Sequence, residues 1–156
     1  MRTAGLATAT AALLVLGAVG ATADPLGNNG TVKVNGGSLA GGTSNDPHVG
    51  CLFEIDFFGY DQGAGPFDLT ASATFDLQPP SGDGTLATFD DIDIGQDPAG
   101  GANDLDASLQ VDLSTFVAGL PEAAQGFHVK LTVHAEGSQG ADTKHKVFWV
   151  TGCGGE

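Results

Sequence analysis

Several stretches of this chain alternate apolar and polar residues at every second position, and that alternation limits its fold more than any other feature. Phe53, Ile55 and Phe57 alternate with Glu54 and Asp56. Leu69, Ala71, Ala73, Phe75 and Leu77 alternate with Thr70, Ser72, Thr74 and Asp76. The same pattern runs through Leu105, Ala107, Leu109, Val111 and Leu113, and again through Val129, Leu131 and Val133. A period of two puts one set of side chains on a buried face and the other on a wet one, which is the signature of a strand. Shorter segments of the same kind are Thr31–Val34, Thr85–Phe89 with Ile92 and Ile94 continuing it, and Lys144–Thr151. Segments rich in Gly, Pro and Asp separate them, and residues 35–50 read as a Gly-rich connection holding little regular structure. Ser114–Gln125, interrupted by Pro121, reads as a helical turn or a corner.

Six or seven short strands with no long helix among them predict an all-β fold, an antiparallel immunoglobulin-like β-sandwich of about seven strands spanning 31–153. Helices of the βαβ type are missing, so parallel α/β folds are excluded. Phe127 stands just before the strand at 128–135, where an aromatic side chain plugs the end of an immunoglobulin-type core. Trp149 shares the parity of Cys153, which predicts a tryptophan near that cysteine.

The first 23 residues read as an address. Met1-Arg2 is followed by an apolar run through Leu13-Leu14-Val15-Leu16 and by Ala21-Thr22-Ala23. A positive start, an apolar middle and small residues at −3 and −1 make an export signal peptide cleaved after Ala23, with a membrane anchor as the alternative. Residues 24–30 then form a flexible leader and 154–156 a tail. Cleavage removes Arg2, the sole arginine, and leaves four lysines against nineteen acids. The whole chain carries a formal net charge of −14. Such a balance excludes ordinary nucleic-acid binding, because no basic footprint meets the phosphates. It favours solubility and attracts cations.

Cys51 and Cys153 are the only cysteines. In an exported chain an even pair is most simply a disulfide, closing a loop of about 100 residues for a stabilisation of about 4–5 kcal/mol. A metal site built from Cys51, Cys153 and His48 is the alternative, without the spacing that supports one.

Other residues carry candidate chemistry. Asp90, Asp91, Asp93, Asp97, Asp104 and Asp106 concentrate six carboxylates around one loop, which could serve calcium as oxygen ligands or simply form a solvated acidic face. Their spacing is not that of an EF-hand. Glu54 and Asp56 stand about 7 Å apart along one strand, without the opposed geometry of a glycosidase pair, and read as an outward polar face. His128 and His134 share a solvent-facing side with Lys130 and Thr132. His48 reads as holding its loop through a side-chain to backbone hydrogen bond. Lys144, His145 and Lys146 are the only basic cluster, able to capture an anion or to pair with Glu54 or Asp56. No G-x-S-x-G elbow supports a nucleophilic triad.

Three segments together carry a resemblance: Asn45-Asp46-Pro47-His48-Val49-Gly50-Cys51, Phe53 through Gly63, and Lys144-His145-Lys146-Val147-Phe148-Trp149-Val150-Thr151-Gly152-Cys153. The chain resembles a group of uncharacterised exported actinobacterial proteins from about Val32 to Cys153. Members often carry a wall-sorting or membrane tail after the last cysteine. Here Gly154-Gly155-Glu156 follows instead, and free secretion is expected. The resemblance implies a place, secreted or associated with the cell envelope, and no activity. The resulting expectation is a non-catalytic module that contacts an envelope protein or polymer through its surface and loops. A calcium-stabilised adhesion-type module and a cell-wall hydrolase are the alternatives.

Overall fold

The computed structural model describes residues 30–36, 45–60, 69–95, 103–138 and 140–153. The expected signal peptide at 1–23, most of the leader, the tail at 154–156 and Asp97 lie outside the described residues. No helix among the described residues is long and apolar enough to cross a membrane.

Eight strands follow in chain order: β1 (Thr31–Asn35), β2 (His48–Gly50), β3 (Leu52–Phe58), β4 (Thr70–Leu77), β5 (Gly84–Asp93), β6 (Leu105–Asp112), β7 (Phe127–Ala135) and β8 (Thr143–Thr151). They form two sheets, one ordered β1-β3-β6 and the other β2-β8-β7-β4-β5. The fold is an all-β sandwich. The alternating segments became strands within a residue or so of the expected bounds. Residues 35–50 differ from expectation, because His48–Gly50 form β2, which pairs in parallel with Trp149–Thr151 of β8. The sandwich therefore has eight strands among the described residues and is not wholly antiparallel. Ser114–Gln125 is a corner built from turns, and Val117, buried within it, closes one helical turn by donating its N–H to the Leu113 carbonyl.

Alternation explains the core. Phe53, Ile55 and Phe57 of β3 face Phe75 of β4, Val129, Leu131 and Val133 of β7, and Phe148 and Val150 of β8, all in one buried cluster. Phe53 ties the sheets together, edge-on to Phe75 at 5.8 Å and to Phe148 at 5.4 Å between ring centroids. Such tilted contacts suit the ring quadrupoles. Phe127 is buried at the end of this core, as expected.

Tyr60 closes the sandwich near the start of β1. Its hydroxyl hydrogen-bonds the Ser138 hydroxyl at 3.0 Å, and Ser138 donates to the Ala135 carbonyl. Its backbone N–H donates to Asp106 Oδ2 at 2.8 Å. Gly30 lies flat against the Tyr60 ring, where a Cβ would come within 2.3 Å of it. Burial is the main reason the Tyr60 phenol sits above its ordinary pKa, opposed by the Ser138 bond and reinforced by Asp106 and Asp142.

The two sheets approach each other at β5–β6 and at β2–β3. Among the described residues β1 and β8 are joined at intervals. Gly30 N–H donates to Gly137 O at one end. At the other, Asp46 N–H donates to Val34 O, Val34 N–H donates to the Asn45 side chain, and Trp149 N–H donates to Pro47 O. Between these ties the sandwich has a mouth.

Candidate functional site

The mouth holds two hollows. One, of about 170 Å³, is lined by Thr31, Val32, Lys33, Lys144, His145 and Lys146. The second, of about 160 Å³, is walled by Val34, Asn45, Asp46 and Pro47 on one side and Lys146, Val147 and Phe148 on the other. Three of the chain's four lysines thus gather at one opening of a strongly acidic protein.

Strand parity puts Lys144 and Lys146 there. Phe148 and Val150 of β8 point into the core, so Lys146 and Lys144, two and four positions earlier, share their side of the strand. Their register partners on β7 are Leu131 and Val133, both core residues. The core-facing side of β8 therefore turns basic where it reaches the mouth. Partial burial is the first cause holding the Lys146 ammonium below the usual lysine range, and repulsion from Lys33 and Lys144 adds to it. No ion pair holds Lys33 or Lys146 among the described residues.

Sequence reasoning found Lys144, His145 and Lys146 but missed Lys33, which belongs to a distant segment and reaches the same hollow through the β1 edge. The expected pairing with Glu54 or Asp56 does not occur, because β3 and β8 belong to different sheets. Across the strands, Asp56 is opposite Lys33 and Ser108, and Glu54 is opposite Asn35 and Gln110.

Glu54 and Asp56 also differ from the expected wet face. Glu54 is 7% exposed and Asp56 fully buried. Here β3 is the central strand of its sheet, flanked by β1 and β6. The Ser108 hydroxyl donates to Asp56 Oδ1. Among the described residues, Glu54 Oε2 and Asp56 Oδ2 are buried oxygens with no hydrogen-bond partner. Burial first, and then the Asp56 carboxylate, raise the Glu54 pKa above its ordinary value.

The other candidates are dispersed. Asp90, Asp91 and Asp93 lie on the edge strand β5, Asp104 precedes β6 and Asp106 is on it. Among the described residues no group of three or more His, Cys, Asp or Glu is placed to hold a metal ion. Cys51 and Cys153 form the expected disulfide, with Cα atoms 5.1 Å apart, so neither thiol is available to a metal. His48 is exposed on β2, and its ring makes no hydrogen bond among the described residues, so the loop is held by the backbone of β2 instead. His128, Lys130, Thr132 and His134 share the outer side of β7, as expected; His134 and His145 meet Thr143 and Thr132 across the strands, each at 3.2 Å. Trp149 also lies on this outer side, stacked on His128 at 4.5 Å, whereas Cys153 packs against the core. The expected approach of tryptophan to the disulfide is therefore not found: Trp149 alternates with the buried Phe148 and Val150 and points the other way.

Comparison with protein-family models, curated proteins and solved structures finds no match to this chain.

Proposed function

We propose that the protein is a non-catalytic, exported β-sandwich module that acts by contact with a component of the cell envelope or its surroundings. The observation carrying this reading is the mouth between β1 and β8. Lys33, Lys144 and Lys146 converge there on one hollow, while the rest of the surface is dominated by acid. Partial burial and repulsion from Lys33 and Lys144 make the charged Lys146 unfavourable for folding alone. A bound anionic group relieves both costs, which is what a contact site requires. Export rests on the sequence of residues 1–23, and the envelope setting on the resemblance to exported actinobacterial proteins.

The immunoglobulin-like reading of the sandwich belongs to the same proposal. Two features support it: a short early strand pairing in parallel with the last strand, and a buried aromatic residue, Phe127, at the corner before the penultimate one. The disulfide departs from the antibody arrangement, because it joins the start of β3 to the end of β8.

The test is sedimentation of the purified chain, without residues 1–23, with isolated envelopes of the producing organism. The account expects saturable binding that weakens as salt rises and releases no soluble fragments. Absence of binding, or turnover of the envelope polymer into fragments, would contradict it.

A further inference from the structure

We propose that the mouth between β1 and β8 takes an extended acidic peptide as an added strand, hydrogen-bonded to the outer edge of β8 and presenting a carboxylate at every second position to Lys146, Lys144 and Lys33. The inference rests on the contact-module reading above and names its ligand.

Backbone direction supplies the first argument. Trp149 N–H donates outward, to Pro47 O, and residues two apart on a strand aim their N–H and C=O groups the same way. The backbone groups of Val147 and His145 therefore face the mouth. Across it, Val34 turns its N–H and C=O away from β3, toward Asn45 and Asp46, so those of Val32 face the mouth from the other side. Among the described residues β2 covers the β8 edge over Trp149–Thr151, and the edge from Thr143 to Val147 continues beyond it. Unpaired strand edges are the surfaces on which peptides add as strands.

Side-chain alternation supplies the second argument. A strand laid on β8 puts every second side chain on the side of Lys144 and Lys146, and the others beside His145 and the exposed Val147. Opposite charges in adjacent positions favour each other, and here the lysine side is half-buried, so the contact is stronger than on open surface. The occupant is thus acidic at one parity and apolar at the other. Backbone recognition favours a peptide over a phosphate or sugar polymer, which lacks a ladder of amides.

The probe is a blocked heptapeptide alternating Val and Glu, with its Val/Gln counterpart as control, titrated by calorimetry and by hydrogen exchange followed with NMR. The Glu peptide is expected to bind about tenfold more tightly than the Gln peptide. Its affinity is expected to fall with added salt, and bound peptide should slow exchange at the amides of Val32, His145 and Val147. Lys146→Gln and, separately, Lys33→Gln should each weaken the Glu peptide severalfold and leave the Gln peptide unchanged. Lys33→Gln serves where Lys146→Gln disturbs the fold. Equal binding of the two peptides, no binding, or binding that leaves those three amides unprotected would overturn the proposal. Inorganic polyphosphate binding in place of the Glu peptide would overturn it too. If the peptide fails while the chain still sediments with envelopes, this inference falls and the contact-module reading stands.

Discussion

Glu54 places a carboxylate on the central strand of the smaller sheet, between Asn35 and Gln110, with one oxygen buried and unpartnered. Burial and the Asp56 charge raise its pKa above the ordinary 4.5. The folded chain then holds the Glu54 proton more tightly than the unfolded chain does. That contribution to stability is fully present below pH 4.5 and is lost as pH rises through the folded value. Glu54→Gln removes the titration and leaves a neutral amide. It is expected to raise the melting temperature at pH 7 and to leave it nearly unchanged at pH 3.5, and thermal unfolding across that range checks it. An equal rise at both values would mean that charge is not the cost. Alternation located Glu54 on β3 but could not reveal its burial, because exposure of the polar parity depends on which strands flank it and how closely they pack.

Among the elements, β5 shows most clearly what local pattern can and cannot specify. Its register on β4 skips between Ala71–Ile92 and Ala73–Phe89, so Asp90 and Asp91 together face the single residue Ser72. Asp91 sits at φ 55°, in the left-handed region, and forms the bulge. The sequence showed Ile92 and Ile94 resuming an apolar rhythm after the two acids, and the bulge is the reason one strand crosses that interruption. Aspartate tolerates this backbone and a β-branched residue does not. Asp91→Gly is expected to keep or slightly raise stability, whereas Asp91→Val should cost about 1–3 kcal/mol. Urea unfolding of the pair measures the difference; equal stabilities would show that the bulge is free to relax. β2 was illegible for a different reason. Three residues are too few to show a period, and the partner that makes them a strand lies at the far end of the chain. Lys33 escaped notice in the same way, since only the folded arrangement of β1 beside β8 brings it to Lys146.

At the scale of the molecule, two long-range ties join distant parts of the chain: Tyr60 with Ser138, and Cys51 with Cys153. The disulfide spans 102 positions in sequence. In the chain-entropy picture its removal costs about 4–5 kcal/mol. A Cys51→Ala/Cys153→Ala double variant is expected to lose stability on that scale in chemical denaturation, and a loss well under 1 kcal/mol would show that the unfolded chain is already constrained. The cysteine pairing, the strand class and most strand positions could be read from the sequence, because each follows from a local pattern or from a choice with one outcome. The mouth could not, since it arises from how the sheet edges meet: β5 approaches β6 and β2 approaches β3, while among the described residues β1 and β8 are tied at Gly30, at Asn45–Asp46 and at Pro47.

That opening is the claim on which the functional reading stands, and amide exchange along β8 tests it residue by residue. Lys144, Lys146 and Phe148 direct their N–H groups toward β7, and His145 and Val147 direct theirs toward the mouth. In the unliganded protein, hydrogen exchange should be slow at Lys144, Lys146 and Phe148 and fast at His145 and Val147, in strict alternation. Uniform protection through residues 144–148 would mean that the β8 edge is already paired along its length, and the account would be wrong.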